Sequence, residues 1–356
     1  MTETPISIII PAFNQLEYCR QCIFALRANT ARPYRLILVD NGSTDGVAGF
    51  FDSVSGAVVV HAGENKGFAG GVNLGLEYAQ GHVLLLNSDT LAPRGWLRRL
   101  EAALLHDDHI GMVGPMSNCV SGSQQIDGLE FDSLDAINGY ADRLAAEKAG
   151  QLRDVARLVG FCLLIRDSVV EEVGGFDESY ETGNFEDDDY CLRVLRTGRR
   201  LCVAEDAFVF HYGSRTFMGM GVVDAAWEEL LARNQRVFEE KWRARPEERS
   251  DAAQQSRRLN REGRAALETG GLEHAIRLLT HAVETAPFYH QNYNDLGAVL
   301  WQAGEGARAC RLFKKALSLA PGNAEARENL LNAAEALGQA ADAREFLMEL
   351  DKKGMP

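Results

Sequence analysis

No window of this 356-residue chain strings together the roughly 18 apolar residues that a membrane-spanning helix requires. The start, Met1 to Pro5, is acidic, and the apolar run behind it is only about five residues long, so neither a secretory nor a transit signal is expected. Positive charge is scarce as well. The formal net charge is −14, and from Ser256 onward thirteen basic residues balance thirteen acidic ones, so the excess lies upstream. Such a surface disfavours tracking along a phosphate backbone and excludes nucleic acid as an expected partner. It suits a divalent cation that brings in an anionic ligand. The seven cysteines, an odd number scattered over stretches that read as buried, argue for a reducing, cytoplasmic setting and against a disulfide framework. Cys19 and Cys22 share a C-x2-C spacing, but no second pair completes a zinc site, and they fall inside a helical pattern, away from its first turn. Neither the Walker spacing nor G-x-G-x-x-G occurs in the chain's glycine-rich stretch.

What is present is a series of short apolar runs that end abruptly in polar residues. Ile6 to Ile10 is closed by Pro11; Leu36 to Val39 runs into Asp40, Asn41, Gly42 and Ser43; Val58 to Val60 follows; and Val83 to Leu86 runs into Asn87, Ser88 and Asp89. Strand starts near 6, 36, 58 and 82 leave room for a helix between each, which predicts βαβ units and a mostly parallel sheet. One such helix is marked by Leu16, Cys19, Ile23 and Leu26. Ligands of open α/β sheets sit beyond the carboxyl ends of the strands. Phe13 and Asn14, Asp40 and Asn41, and Asn87 to Asp89 are therefore expected to converge at one edge. The stretch Glu64 to Asn73, with Gly67, Gly70 and Gly71, opens a helix expected to reach about Gln80. Its glycines either offer backbone N–H groups to a phosphate or serve close packing, and both readings stand. Further strands are expected at Ile110 to Val113 and Phe161 to Ile165, with a helix through Trp96, Leu97, Leu100 and Leu104 before them. Residues 117 to 156 read as a long irregular insertion, of the kind that is often functional.

A second concentration of chemistry follows. Gly174 to Glu178 leads to Glu186, Asp187, Asp188 and Asp189, which precede a helix from Tyr190 to Arg196. Acids in a first helical turn complement the dipole, and one or two would suffice for that. Four consecutive carboxylates point further, to proton transfer or cation binding. His211 stands at the end of the run Phe208 to Phe210, shortly after this cluster. A long amphipathic helix is expected from Asp224 to Arg245, with Trp227, Leu230, Leu231, Val237 and Trp242.

Residues 246 to 255 are polar and without an apolar period, which places a linker there, between an α/β domain (1 to 245) and a C-terminal domain (256 to 356). The latter repeats: Gly263, Ala275, Ala282 and Pro287 recur 34 residues later as Gly297, Ala309, Ala316 and Pro321, and Gly270, Gly304 and Gly338 keep the same interval. In the third copy Leu331 replaces the glycine, while Ala343 remains. The period and its small residues resemble the tetratricopeptide repeat, in about three copies, the last acting as a cap.

Pro11 to Asn14, Val39 to Asp45, Asn65 to Asn73, Asn87 to Asp89, Gly174 to Asp177, Glu186 to Asp189 and His211, in this order and spacing, resemble the inverting glycosyltransferases of family 2, with the GT-A fold. Within it, the chain is most similar to the rhamnosyltransferase-like enzymes of bacterial surface polysaccharides. The resemblance implies that Pro11, Phe13 and Asp40 hold the base and ribose of a UDP- or dTDP-sugar. Asn41, Asn65, Gly67 and Asn73 would line the nucleotide cleft. Asn87, Ser88 and Asp89 stand where the family carries D-x-D, the first acid being an amide here. Asp89 would bind Mg2+ or Mn2+, with His211 completing its shell; Asp187 matches the general base, and Glu186 and Asp189 would contact sugar or acceptor.

The chemistry agrees with those roles. A departing nucleoside diphosphate needs its charge offset by a hard cation on oxygen ligands. An acceptor hydroxyl on a glycan or protein needs one carboxylate to take its proton, and a single displacement inverts the anomeric centre. The competing reading is a non-catalytic nucleotide-sugar-binding scaffold whose repeats recruit partners or pair two copies of the chain. Sugar-nucleotide synthesis would want a glycine-rich basic loop after the first strand, and Pro11 to Asn14 is not one.

Overall fold

A computed structural model describes residues 4–213, 224–243, 249–286 and 289–353. The first strands are β1 (Ile6–Ala12), β2 (Arg35–Asp40), β3 (Ala57–His61) and β4 (His82–Leu86), with α1 (Leu16–Asn29), α2 (Val47–Asp52) and α3 (Gly67–Leu76) between them. They pair in parallel in the order β3-β2-β1-β4, as the strand spacing predicts. After β5 (Thr90–Leu91) and α4 (Trp96–Leu104) come β6 (Ile110–Met116), α5 (Leu134–Glu147), β7 (Leu152–Val155), β8 (Cys162–Ile165), α6 (Asp167–Val173), α7 (Glu186–Arg196), β9 (Arg200–Phe208) and β10 (Phe210–His211). The sheet continues from β4 through β8, β6 and β9 to β7, with β8 antiparallel to β4. The GT-A expectation is met: a mostly parallel sheet flanked by helices.

The continuous apolar runs are explained by burial on both faces. Ile8, Ile10, Leu84 and Leu86 point into one core with α1 and α4, whereas Ile9, Val83 and Leu85 point into a second with α3, α6 and α7. That is the two-residue alternation of a strand expressed between two helical layers. Each fully buried leucine contributes about 1.5–3 kcal/mol. The glycines of α3 now have a reason: a Cβ on Gly75 would lie 2.4 Å from Cγ2 of Ile9 and 3.3 Å from Cγ2 of Val39. Close packing therefore accounts for Gly75, and α3 ends at Leu76, four residues before the expected Gln80.

The insertion is better ordered than expected. It contains α5, whose Ser133 side chain accepts from the Ala136 N–H, and whose Ile137, Ala141 and Leu144 are buried. The helix α8 (Asp224–Arg243) closes the first compact unit, which ends at Ala244; the side chain of Trp227 lies outside the described ones.

The second unit, from Arg245, holds helices Arg249–Glu268, Leu272–Thr285, His290–Gln302, Gly306–Leu319, Ala324–Ala336 and Ala340–Lys353. The first of these begins inside the stretch expected to be linker: polar residues support a helix as well as a loop. Pro287 and residues 244–248 lie outside the described residues. Gly270, Gly304 and Gly338 adopt φ of +81°, +82° and +71° at the three within-pair turns, which is why glycine keeps the 34-residue interval there. Among the described residues no helix is long and apolar enough to cross a membrane.

Candidate active site

The parallel strands bring their polar termini together. The Asn41 N–H donates to the Ala12 carbonyl (2.8 Å), joining the ends of β1 and β2. Pro11 is buried and Phe13 half-buried beside them. Asp40, 5% exposed, accepts from the Ser43 N–H (3.0 Å) through Oδ1, while Oδ2 lies 3.3 Å from Nδ1 of His61. His61 belongs to the same corner and was missed by the sequence reading. Asp40 and Asp52 on either side of its ring hold its pKa above the ordinary imidazole value.

Two asparagines expected to line the nucleotide cleft are used by the protein itself. Asn41 donates to the Gly67 carbonyl (2.9 Å) and Asn65 Oδ1 (3.1 Å) and accepts from the Lys66 N–H (3.0 Å), so it shapes the 65–67 loop. Asn73 donates to the Phe176 carbonyl (2.9 Å) and Glu178 (2.8 Å) and accepts from the Phe176 N–H (2.7 Å). Its amide staples the Gly174 to Glu178 loop to α3 and is spent on that task. The half-buried side chain of Asn87 stands at the end of β4, whereas Ser88 is buried against the Cys19 thiol. Burial raises both thiols of the C-x2-C pair, that of Cys22 to about 12, which makes them packing groups.

Beyond β4 the chain forms a two-stranded ribbon, with His211 opposite Thr90 and Phe210 opposite Leu91. This sets His211 Nε2 3.2 Å from Asp89 Oδ1, both residues being buried at 8% and 3% exposure. His211 is fixed from every side. Asn118 both accepts from its N–H (2.9 Å) and donates to its carbonyl (3.1 Å), and the Phe161 ring stacks on it at 5.3 Å. Nδ1 lies 2.7 Å from the Cys119 carbonyl, which assigns the ring proton there and turns the Nε2 lone pair toward the carboxylate. Two acceptors so placed need a proton or a cation between them, and Nε2 makes no aligned hydrogen bond. Burial opposes the imidazolium, but Asp89 outweighs it and raises the His211 pKa. The pair fits a hard cation. Among the described residues no third His, Cys, Asp or Glu stands close enough to complete a cage.

The four acids occupy the first turn of α7, which reconciles the dipole reading with a chemical one. Their partners separate them. Asp187, 7% exposed, accepts from the Gly160 N–H (2.8 Å) and the Asp188 N–H (2.9 Å). Glu186 Oε2 is buried without a hydrogen bond, and burial, reinforced by Asp187, pushes its pKa well above the usual carboxylate range. Asp188 pairs with Arg157. Asp189 corrects the expectation that it meets sugar or acceptor. It is fully buried and bound by Arg193 (2.9 Å), Trp242 Nε1 (2.9 Å) and Lys241 (2.7 Å), so it anchors α8.

One dipeptide joins the two corners. Gly160 donates to Asp187, while Phe161 stacks on His211 and accepts the Asn87 N–H (2.8 Å) through its carbonyl. Cys119 and Gly160 escaped the sequence reading because they contribute backbone groups, which carry no residue-type signal, and Asn118 and Phe161 because their partner His211 lies fifty or more residues away in the chain.

The fold and this grouping of residues define a GT-A transferase domain, followed in the chain by helical repeats. Residues 7–174 match the family described as Glycosyl transferase family 2, and residues 300–355 match the Tetratricopeptide repeat. An uncharacterized protein of Mycobacterium bovis is 30% identical over 220 residues, covering 59% of this chain and 74% of the relative. The chain belongs to glycosyl transferase family 2. A pre-mycofactocin glycosyltransferase of Mycobacterium tuberculosis is 30% identical over 214 residues, covering 58% of this chain but only 42% of that protein. An N-acetylglucosaminyl-diphospho-decaprenol L-rhamnosyltransferase of the same species is 25% identical over 235 residues, 58% of this chain and 75% of its own length.

Proposed function

We propose that this protein is a metal-dependent inverting glycosyltransferase that moves a sugar from a UDP- or dTDP-sugar to a hydroxyl of a glycan or protein. The observation that carries the reading is the Gly160–Phe161 bridge between Asp187 and the Asp89–His211 pair. Asp89 and His211 would hold Mg2+ or Mn2+, whose charge offsets that building on the departing diphosphate. Asp40 and Phe13 would orient the nucleoside. Asp187 takes the acceptor's proton as the acceptor oxygen bonds to the anomeric carbon. The bond to the diphosphate breaks with its electron pair on the leaving group. The two backbone N–H groups on Asp187 fix its direction and leave lone pairs for that proton. Burial disfavours a second negative charge on Glu186 beside it. The rhamnosyltransferase relative supports a deoxysugar donor. The repeats would present a surface to a protein partner or a second copy of the chain.

The test is a screen of UDP- and dTDP-sugars with and without Mn2+, following release of nucleoside diphosphate. Asp187→Asn should lower turnover by about 10²–10⁴-fold with donor binding retained. Near-parental turnover would remove Asp187 from its role.

A further inference from the structure

The turn that delivers the acids is held in an unfavourable backbone conformation. Thr182, Asn184 and Phe185 have φ of +61°, +75° and +75°, and Gly183 between them has +130°. Three side-chain-bearing residues in the left-handed region within four positions crowd Cβ against the carbonyls, so such a run persists only where its surroundings impose it. Phe185 is the residue on which α7 starts, and it offers no side-chain cap. Whatever holds 182–185 therefore sets the direction of Glu186 and Asp187.

The structure assigns that task to Asn234 of α8. Its side chain is fully buried, and Nδ2 lies 2.8 Å from the Gly183 carbonyl, 3.0 Å from Tyr180, 3.2 Å from Glu181 and 3.3 Å from Asn184. Four carbonyls of one turn thus converge on one amide nitrogen. Its two hydrogens can bond the nearest two well and share the rest, a task open only to the NH2 end. Oδ1 on the other side makes no hydrogen bond among the described residues, so the amide is oriented wholly by the turn. The turn is also packed closely against Gly67, where a Cβ would lie 2.8 Å from the Thr182 nitrogen. Further along α8, the Phe238 ring sits 5.6 Å from that of Phe185. Asn234 is thus a positioning residue that acts through the turn on Asp187. This inference rests on the reading of Asp187 as the base.

The experiment compares the full chain with its Asn234→Ala, Asn234→Ala/Asn184→Gly and Asp187→Asn variants by backbone hydrogen exchange and by UDP-glucose hydrolysis with Mn2+. Asn234→Ala should speed exchange about tenfold or more within 182–188 and leave the β1–β4 strands unchanged. It should lower kcat by about 10–100-fold with KM within about twofold, the signature of a misplaced base. Adding Asn184→Gly, which suits a left-handed backbone, should restore part of both. Exchange that is unchanged, or raised evenly over the α/β unit, overturns the inference. So does a KM rise at constant kcat. If Asp187→Asn keeps full turnover, the reading of the base has failed on its own account; if it is inactive while Asn234→Ala is normal in both readouts, only the positioning role falls. A parent that leaves UDP-glucose intact is decided by exchange alone, including the rescue by Asn184→Gly.

Discussion

β4 has a buried histidine associated with each of its ends, and the two are in opposite electrostatic states. At its start, His82 is 3% exposed, and its Nδ1 accepts from the Asp167 N–H (3.2 Å) while Nε2 has no partner among the described residues. Burial dominates and lowers its pKa, because the nearby carboxylate of Asp167 is itself 43% exposed and well solvated. Past its other end, His211 is as buried, but it faces a carboxylate that is itself almost dry, and its pKa is raised. Burial and residue type are shared. What differs is whether the neighbouring charge has been taken out of water, and only the second arrangement would suit a cation.

Three outcomes would break or sharpen that contrast, beyond those given above. The largest is expected at the Asp89–His211 corner. Asp89→Ala should cost about 10²-fold or more in Mn2+-dependent turnover and abolish the thermal stabilisation by Mn2+ with UDP, with His211→Ala intermediate. Full retention of that stabilisation would mean that the pair does not hold the ion. Between the two ends the sheet is dry and close-packed, and Gly75→Ala should destabilise the chain by about 1–3 kcal/mol in urea melts. A stabilised variant would show that Ile9 can yield. The smallest effect belongs to His82. Its folded pKa lies below the unfolded value near 6.5, so the unfolded chain binds the proton more tightly. The stability it confers is present above that pH and is lost as pH falls through it. Between about pH 7.5 and pH 5.5 the parent should therefore lose more melting temperature, or gain less, than His82→Gln. Equal slopes would assign the loss elsewhere.

The contrast between Asp187 and Asp189 shows where legibility ended. Both stand in one helical turn, in a run of four acids that drew attention as a unit. Local pattern could mark the run, and the family resemblance singled out Asp187, but neither showed the partners far along the chain that separate the two: Gly160 for one, Lys241 and Trp242 for the other. The partners of Asn73 were hidden for the same reason, its amide bonding a loop about a hundred residues away. Conversely α5 was readable and overlooked, for Leu134, Ile137, Ala141 and Leu144 repeat at helical spacing behind a capping serine.

Taken alone, the order of residues determined the parallel β1–β4 core, the polar strand ends at one edge and the 34-residue repeat, because these follow from periodicity and local backbone preference. Tertiary structure alone decided which carboxylates are tied to cationic side chains and which accept only backbone N–H groups. That choice depends on which N–H groups and cations arrive from elsewhere in the chain, and no local pattern encodes it.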